Sequence, residues 1–109
     1  MKIDISKFDQ TRLLVIGDLM IDEYVWGEVD RISPEAPVQV VAVKNEEYTL
    51  GGSGNVVNNL MALGASVTVL GVVGEGSNGK LLCDQLDAIG ADTRGVIQES
   101  GRHTTKKTR

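Results

Sequence analysis

Two short, uninterrupted apolar runs constrain this chain more than any other feature. They are Leu13-Leu14-Val15-Ile16, followed by Gly17, and Val67-Thr68-Val69-Leu70-Gly71-Val72-Val73, followed by Gly74. Both are too short for amphipathic helices and rich in β-branched residues, so they read as strands buried on both faces. Between and after them lie stretches with apolar residues at helical spacing. One runs from about Gly54 to Leu63 and stops at Gly64; the other runs from about Asn78 to Ile89 and stops at Gly90. Ser77 or Asn78 is the expected cap of the second helix. Strand, helix, strand, helix in that order implies a parallel α/β sheet.

Two further segments have a different texture. Tyr24–Val29 and Val38–Val43 are extended but half polar, and Arg31-Ile32-Ser33-Pro34-Glu35-Ala36-Pro37 between them is broken by two prolines. They suit a separate small sheet with one exposed face. Thr93–Gln98 and Thr104–Thr108 are weaker extended stretches. Two core strands and two helices make an incomplete doubly wound sheet, and the last residues read as the middle of a strand. The expectation is therefore part of a longer protein.

Composition narrows the function classes. With 109 residues there is room for one modest core. A net charge of −4 provides no global positive field for nucleic acid, and the one basic cluster is Arg102–Arg109. No apolar run reaches a membrane span, and the start, MKIDISKFDQ, has no apolar leader core. Cys83, the single cysteine, sits in the second helix and reads as a half-buried thiol. These features fit a cytoplasmic protein with neither nucleic-acid nor membrane partners. His103 has no partner at metal-ligand spacing and reads as a surface residue; Trp26 suits packing within the small sheet or a dimer contact.

Three glycine patterns bear on ligands. Leu50-Gly51-Gly52-Ser53-Gly54-Asn55 precedes a helix, where bare backbone and free N–H groups can receive hydroxyls or an anion. Gly74-Glu75-Gly76-Ser77-Asn78-Gly79 matches the G-x-G-x-x-G dinucleotide fingerprint, with Glu99 twenty residues after Gly79. Against that, Glu75 would bring negative charge to a pyrophosphate. The same stretch approaches a P-loop, except that Leu81 stands where a serine or threonine must bind magnesium. A tight strand-to-helix turn shaped by Gly71, Gly74 and Gly79 is the favoured reading of these glycines.

Gly17-Asp18-Leu19-Met20-Ile21-Asp22, Trp26-Gly27, the run Arg31 to Val38, Gly51 to Val56, Gly71 to Gly79 and Thr104-Thr105-Lys106-Lys107-Thr108-Arg109 follow one another in an order that resembles the ribokinase-like (PfkB) carbohydrate kinases. The resemblance covers essentially the whole chain. Within that family, Arg-Ile-Ser-Pro-Glu-Ala-Pro-Val and the threonine- and lysine-rich ending look like those of the heptose-7-phosphate kinases, which act in making ADP-heptose for lipopolysaccharide. The resemblance implies an α/β fold: the N-terminal portion of a ribokinase-like doubly wound sheet with a small β-sheet lid. Residues 1–109 would be that fragment, with lid strands within about 23–49 and 93–109.

The resemblance also implies roles. Gly51 and Gly52 would hinge the lid and touch the sugar, Asp22 would bind sugar hydroxyls, and Asn55 would face the sugar. Lys107 and Arg109 suit the acceptor's phosphate, with Arg31 a further candidate from the lid. The family uses ATP and Mg2+, and a homodimer through the lid sheet is expected. Two positions depart from the family pattern. One residue fewer separates the glycine pair from Asn55, and Gly76 stands at a place that is often acidic. The family's catalytic base lies in a Gly-Ala-Gly-Asp motif that does not occur in these residues, so it is expected beyond Arg109. Two alternatives remain: an NAD-type dinucleotide-binding oxidoreductase fragment, and a non-catalytic dimerising module. On the kinase reading, the 109 residues alone should be inactive: an ADP-release assay with heptose 7-phosphate should stay at background, and turnover above it would refute that expectation.

Overall fold

The computed structural model describes residues 3–109. After a 3-10 turn at Phe8–Gln10 come β1 (Arg12–Ile16), β2 (Leu19–Ile32), β3 (Gln39–Gly52), α1 (Ser53–Ala62), β4 (Ser66–Gly74), α2 (Ser77–Ala88), β5 (Asp92–Glu99) and β6 (Thr105–Thr108). They form two three-stranded sheets. One is parallel, in the order β1-β4-β5; the other has the order β3-β2-β6, with β2 antiparallel to β3 and parallel to β6.

The core lies on one face of the parallel sheet. Val67, Val69 and Val73 alternate along β4 and meet Val57 of α1 and Leu82 and Leu86 of α2. Leu19 and Ile21 from the base of β2 complete the cluster. Gly71 has no side chain because Leu19 occupies that space: a Cβ there would stand 2.6 Å from the Leu19 Cδ1. Both helices end as expected. Gly64 and Gly90 have φ of 100° and 85°, and paired backbone bonds (Ala65 N–H to Leu60 O, Ala91 N–H to Leu86 O) close each terminus in a Schellman motif. The cap at the other end of α2 differs from expectation. Gly76 occupies the N-cap position without a side-chain bond, and Ser77 is already helical.

Three expectations are corrected. First, within the described residues β1 is covered on one face only: Leu14 is 55% and Ile16 71% exposed. It is a sheet edge, and both helices join the core on the opposite face, which leaves Leu14, Ile16 and Ile97 uncovered. Second, the half-polar segments do form a sheet of their own, as expected, but their strands are longer than the segments read from the sequence. β2 and β3 have 14 residues each and form one long hairpin whose base enters the core and whose far part projects from it. The radius of gyration is 17.9 Å, against about 13 Å for a compact domain of this size. Third, the 93–109 stretch divides: β5 extends the parallel core sheet, and only β6 joins the lid.

The prolines behave as read, with Pro34 and Pro37 in the connection between β2 and β3. Ladder shifts at Trp26/Gly27 and Val29/Arg31 bend the hairpin. Trp26 stacks on Tyr24 at 5.8 Å between ring centroids and remains 47% exposed.

Candidate functional site

The glycine segment at 50–55 is not a loop. β3 runs through Gly51 and Gly52 and passes directly into α1. Gly52 makes the turn at φ 57°, and a Cβ on it would collide with the Asp18 carbonyl oxygen. That same carbonyl accepts the Ser53 N–H at 2.9 Å, so Asp18 serves this junction through its backbone. Gly51 lies beneath Asp22: a Cβ there would stand 2.8 Å from the Asp22 carboxylate carbon. The second glycine thus sets the chain direction, and the first leaves room for a carboxylate.

Asp22 lies within β2, paired with Thr49 on one side and Lys107 on the other. Its side chain is only 16% exposed, and Arg109 Nη2 stands 3.8 Å from Oδ2. The Arg109 guanidinium also lies over the Tyr24 ring, 5.7 Å from its centroid. Its backbone is fixed on both sides, with Arg109 N–H donating to Glu23 O at 2.9 Å and Val25 N–H donating to Arg109 O at 2.8 Å.

These residues line a cleft of about 730 Å³ between the lid base and the two helices. Asp22, Tyr24 and Arg109 form the lid side; Asn55, Asn58 and Gln85 form the helix side. Of the expected residues, Asp22, Asn55 and Arg109 therefore meet at one cleft, with Gly51 directly under the carboxylate. Lys107 is exposed and in register with Asp22 on the neighbouring strand. Gly52 packs instead against Asp18 and Met20. Arg31 does not join them: it pairs with Val40 far along the hairpin.

Sequence reasoning missed Tyr24, Asn58 and Gln85. Tyr24 is two residues beyond Asp22 on the same strand face, and Asn58 is one helical turn beyond Asn55, so both carried a periodic signal. Gln85 carried none. Its Nε2 donates to the Tyr48 carbonyl at 3.0 Å, which ties α2 to the lid strand β3.

On the opposite face of β2 lies Glu23, buried at 8% exposure. Burial pushes its carboxyl up, but hydrogen bonds from Thr108 and Tyr48 and the Lys106 ammonium outweigh that and hold it below the usual range. Tyr48 is pushed up to about 12, chiefly by its hydrogen bond to Glu46 and secondly by Glu23. Cys83 is half-buried, and burial, followed by Asp87 and Asp84, pushes its thiol up, which suits an inert side chain.

The G-x-G-x-x-G stretch does have the strand–turn–helix form, yet Gly74 and Gly79 serve packing, while Gly76 faces open space. The Arg102 carbonyl fills the place of a Gly74 Cβ, and the Gly74 carbonyl that of a Gly79 Cβ. The Gly74 N–H donates to Thr104 Oγ1 at 2.9 Å. Residues 101–104 stand across from the turn, with a cavity of about 520 Å³ between them. Among the described residues no three His, Cys, Asp or Glu side chains could hold a metal ion, and no helix is long and apolar enough to cross a membrane.

A parallel α/β layer with a hairpin lid standing over a polar cleft is the architecture of the ribokinase-like sugar kinases. The chain superposes on ribokinase from Cryptococcus neoformans in complex with ADP with a TM-score of 0.66 at 20% identity, covering 90% of this chain and 30% of that one. For fructokinase from Xylella fastidiosa with bound ATP the TM-score is 0.65 at 24% identity, covering 86% and 28%. Residues 10–109 match the pfkB family carbohydrate kinases, and the chain belongs to that family. It is 62% identical over 106 residues to the bifunctional protein HldE of Desulfatibacillum aliphaticivorans, and 58% identical over 98 residues to that of Trichlorobacter lovleyi. These matches cover 97% and 90% of this chain but 22% and 20% of those proteins, so the chain spans about a fifth of the length of these relatives.

Proposed function

We propose that this chain is the acceptor-binding, N-terminal part of a kinase that phosphorylates a sugar phosphate. The acceptor is heptose 7-phosphate, the product heptose 1,7-bisphosphate, and the purpose ADP-heptose synthesis for the lipopolysaccharide core. The observation that carries the reading is the meeting of Asp22, Asn55 and Arg109 at one cleft beneath the lid. A carboxylate accepts hydrogen bonds from neighbouring hydroxyls, an amide both donates and accepts, and a guanidinium holds phosphate bidentately. Similarity to HldE proteins supports the choice of a heptose among sugars.

Asp22 and Asn55 orient the sugar's hydroxyls, while Arg109 and Lys107 hold its existing phosphate at the lid strand. Gly51 lets the carboxylate sit at the hinge of the lid, and closure of the hairpin excludes water from the transfer. ATP with Mg2+ supplies the phosphoryl group. Nucleotide, metal and catalytic base are assigned to parts of the intact enzyme outside these residues, which span about a fifth of the relatives' length. The bare face at Leu14, Ile16 and Ile97 is where the remaining kinase fold packs. Exposed Val29, Val41 and Val43 on the hairpin suit a lid-to-lid homodimer, and the intact enzyme works in the cytoplasm.

The test is a coupled ADP-release assay on the full-length protein with heptose 7-phosphate. Arg109→Ala should raise KM for the sugar phosphate about thirtyfold, and Arg109→Lys, which keeps charge but loses the fork, about tenfold. KM for ATP should stay within twofold in both. Equal KM values for wild type and Arg109→Ala would remove Arg109 from the phosphate site.

A further inference from the structure

We propose that Glu23 is a positioning residue that sets strand β6 so that its alternate residues can hold the acceptor's phosphate. The inference rests on the reading of Lys107 and Arg109 as phosphate ligands. Among the described residues β6 pairs with β2 within its sheet. Strand alternation divides Lys106 and Thr108 from Lys107 and Arg109, on opposite faces. Glu23 grips the first pair. Thr108 Oγ1 donates to Glu23 Oε1 at 3.0 Å, and Lys106 Nζ stands 3.5 Å from Oε2. Arg109 lies on the other face beside Asp22.

Glu23 is the only charged side chain among the described residues that is buried, and it follows Leu19 and Ile21 along the core-facing side of β2. A carboxylate in that place is costly unless it is bonded. Here its contacts with Thr108 and Lys106 both lie on β6, while Tyr48 of β3 stands opposite it in register. The contacts of Glu23 add a side-chain anchor to the four ladder pairings between β2 and β6, on the face away from the cleft. Loosening that anchor lets Lys107 and Arg109 shift without touching either of them.

The test uses the full-length protein, with heptose 7-phosphate and unphosphorylated heptose as paired acceptors. Glu23→Ala should raise KM for the phosphorylated acceptor about tenfold, the scale of one charge-assisted hydrogen bond. KM for ATP, KM for the plain sugar and kcat should stay within about twofold. Thr108→Val, at an exposed position, should raise the same KM about threefold with an unchanged melting temperature. Glu23→Gln keeps an acceptor for Thr108 and should fall between wild type and Glu23→Ala. A KM that rises equally for both sugars, or changes that follow the melting temperature alone, would overturn the inference. Calorimetric titration with inorganic phosphate reads the strand without turnover. Weaker binding in both Glu23→Ala and Thr108→Val supports the inference; unchanged binding, or none in the wild type, overturns it. A wild type that phosphorylates no sugar phosphate, yet binds phosphate in a Glu23-dependent way, would overturn the kinase reading alone.

Discussion

Replacing Asp22 with asparagine in the full-length protein is expected to lower kcat/KM for the sugar phosphate about a hundredfold, or about 2.7 kcal/mol. The substitution keeps the shape of the side chain over Gly51 and removes only its charge and one acceptor oxygen. Hydrogen bonds from neutral donors to a charged group are worth about 1.5–3 kcal/mol each. Two sugar hydroxyls meeting one carboxylate therefore account for the loss. The competing view is a carboxylate that merely balances Arg109. That pair is 3.8 Å apart with the arginine 49% exposed, and such a contact is worth less than about 1 kcal/mol. Magnitude separates the two. A drop of fivefold or less would assign Asp22 to the ion pair, and a hundredfold drop at an unchanged melting temperature assigns it to the sugar. Asp22→Asn combined with Arg109→Ala sharpens the result: if the residues bind different parts of one acceptor, their losses should add within about 0.5 kcal/mol.

Much of this arrangement was legible in the sequence because it depends on local pattern. The valines at 67, 69 and 73 specify a buried strand, and Gly64 and Gly90 end their helices with the positive φ that glycine favours. What stayed hidden depends on partners distant in sequence. The short run Leu13–Ile16 looks the same whether a strand is covered on both faces or one, so its exposure could not be read from it. Thr93–Gln98 and Thr105–Thr108 both read only as weak extended stretches, yet one pairs with β4 and the other with β2, a choice that strand order makes. The glycine pair at 51–52 misled in a specific way. Glycines ahead of a helix suggest a loop, whereas here each answers one close approach, by the Asp22 carboxylate and the Asp18 carbonyl. Asp22, Asn55 and Arg109 are candidates from residue chemistry and family pattern, and the fold brings them to one cleft. Gln85 is not a candidate on either ground, because its role is to reach the backbone of Tyr48, 37 residues away in sequence.

The same reasoning gives the largest expected effect on stability, at Gly79. Helix propensity alone predicts that Gly79→Ala stabilises α2 by about 1 kcal/mol. The surroundings predict the reverse. A Cβ at 79 would collide with the Gly74 carbonyl oxygen and stand 3.0 Å from its carbon and 3.1 Å from Thr104 Oγ1. Neither neighbour can yield cheaply: the first is backbone at the end of the central strand β4, and the second accepts the Gly74 N–H. Relief requires α2 to move away from β4, which opens the core around Leu82 and Leu86, both fully buried. Overpacking of this kind costs about 1–3 kcal/mol, and the separation of α2 from the sheet places Gly79→Ala at the upper end, a net loss of about 2 kcal/mol after propensity is credited. Gly76 is the matched control. Nothing lies within 4 Å of a Cβ there, and its φ is −75°, so Gly76→Ala should leave the melting temperature unchanged or slightly raised. A dinucleotide turn predicts a different pattern, because there the middle glycine is needed for the pyrophosphate to approach. Thermal unfolding of the two full-length variants beside kinase assays therefore tests both the packing and the site. Gly79→Ala should melt several degrees lower, while Gly76→Ala should keep wild-type stability and wild-type KM for ATP. A Gly79→Ala protein as stable as wild type would show that the turn has slack, and the account of its glycines as packing residues would fail.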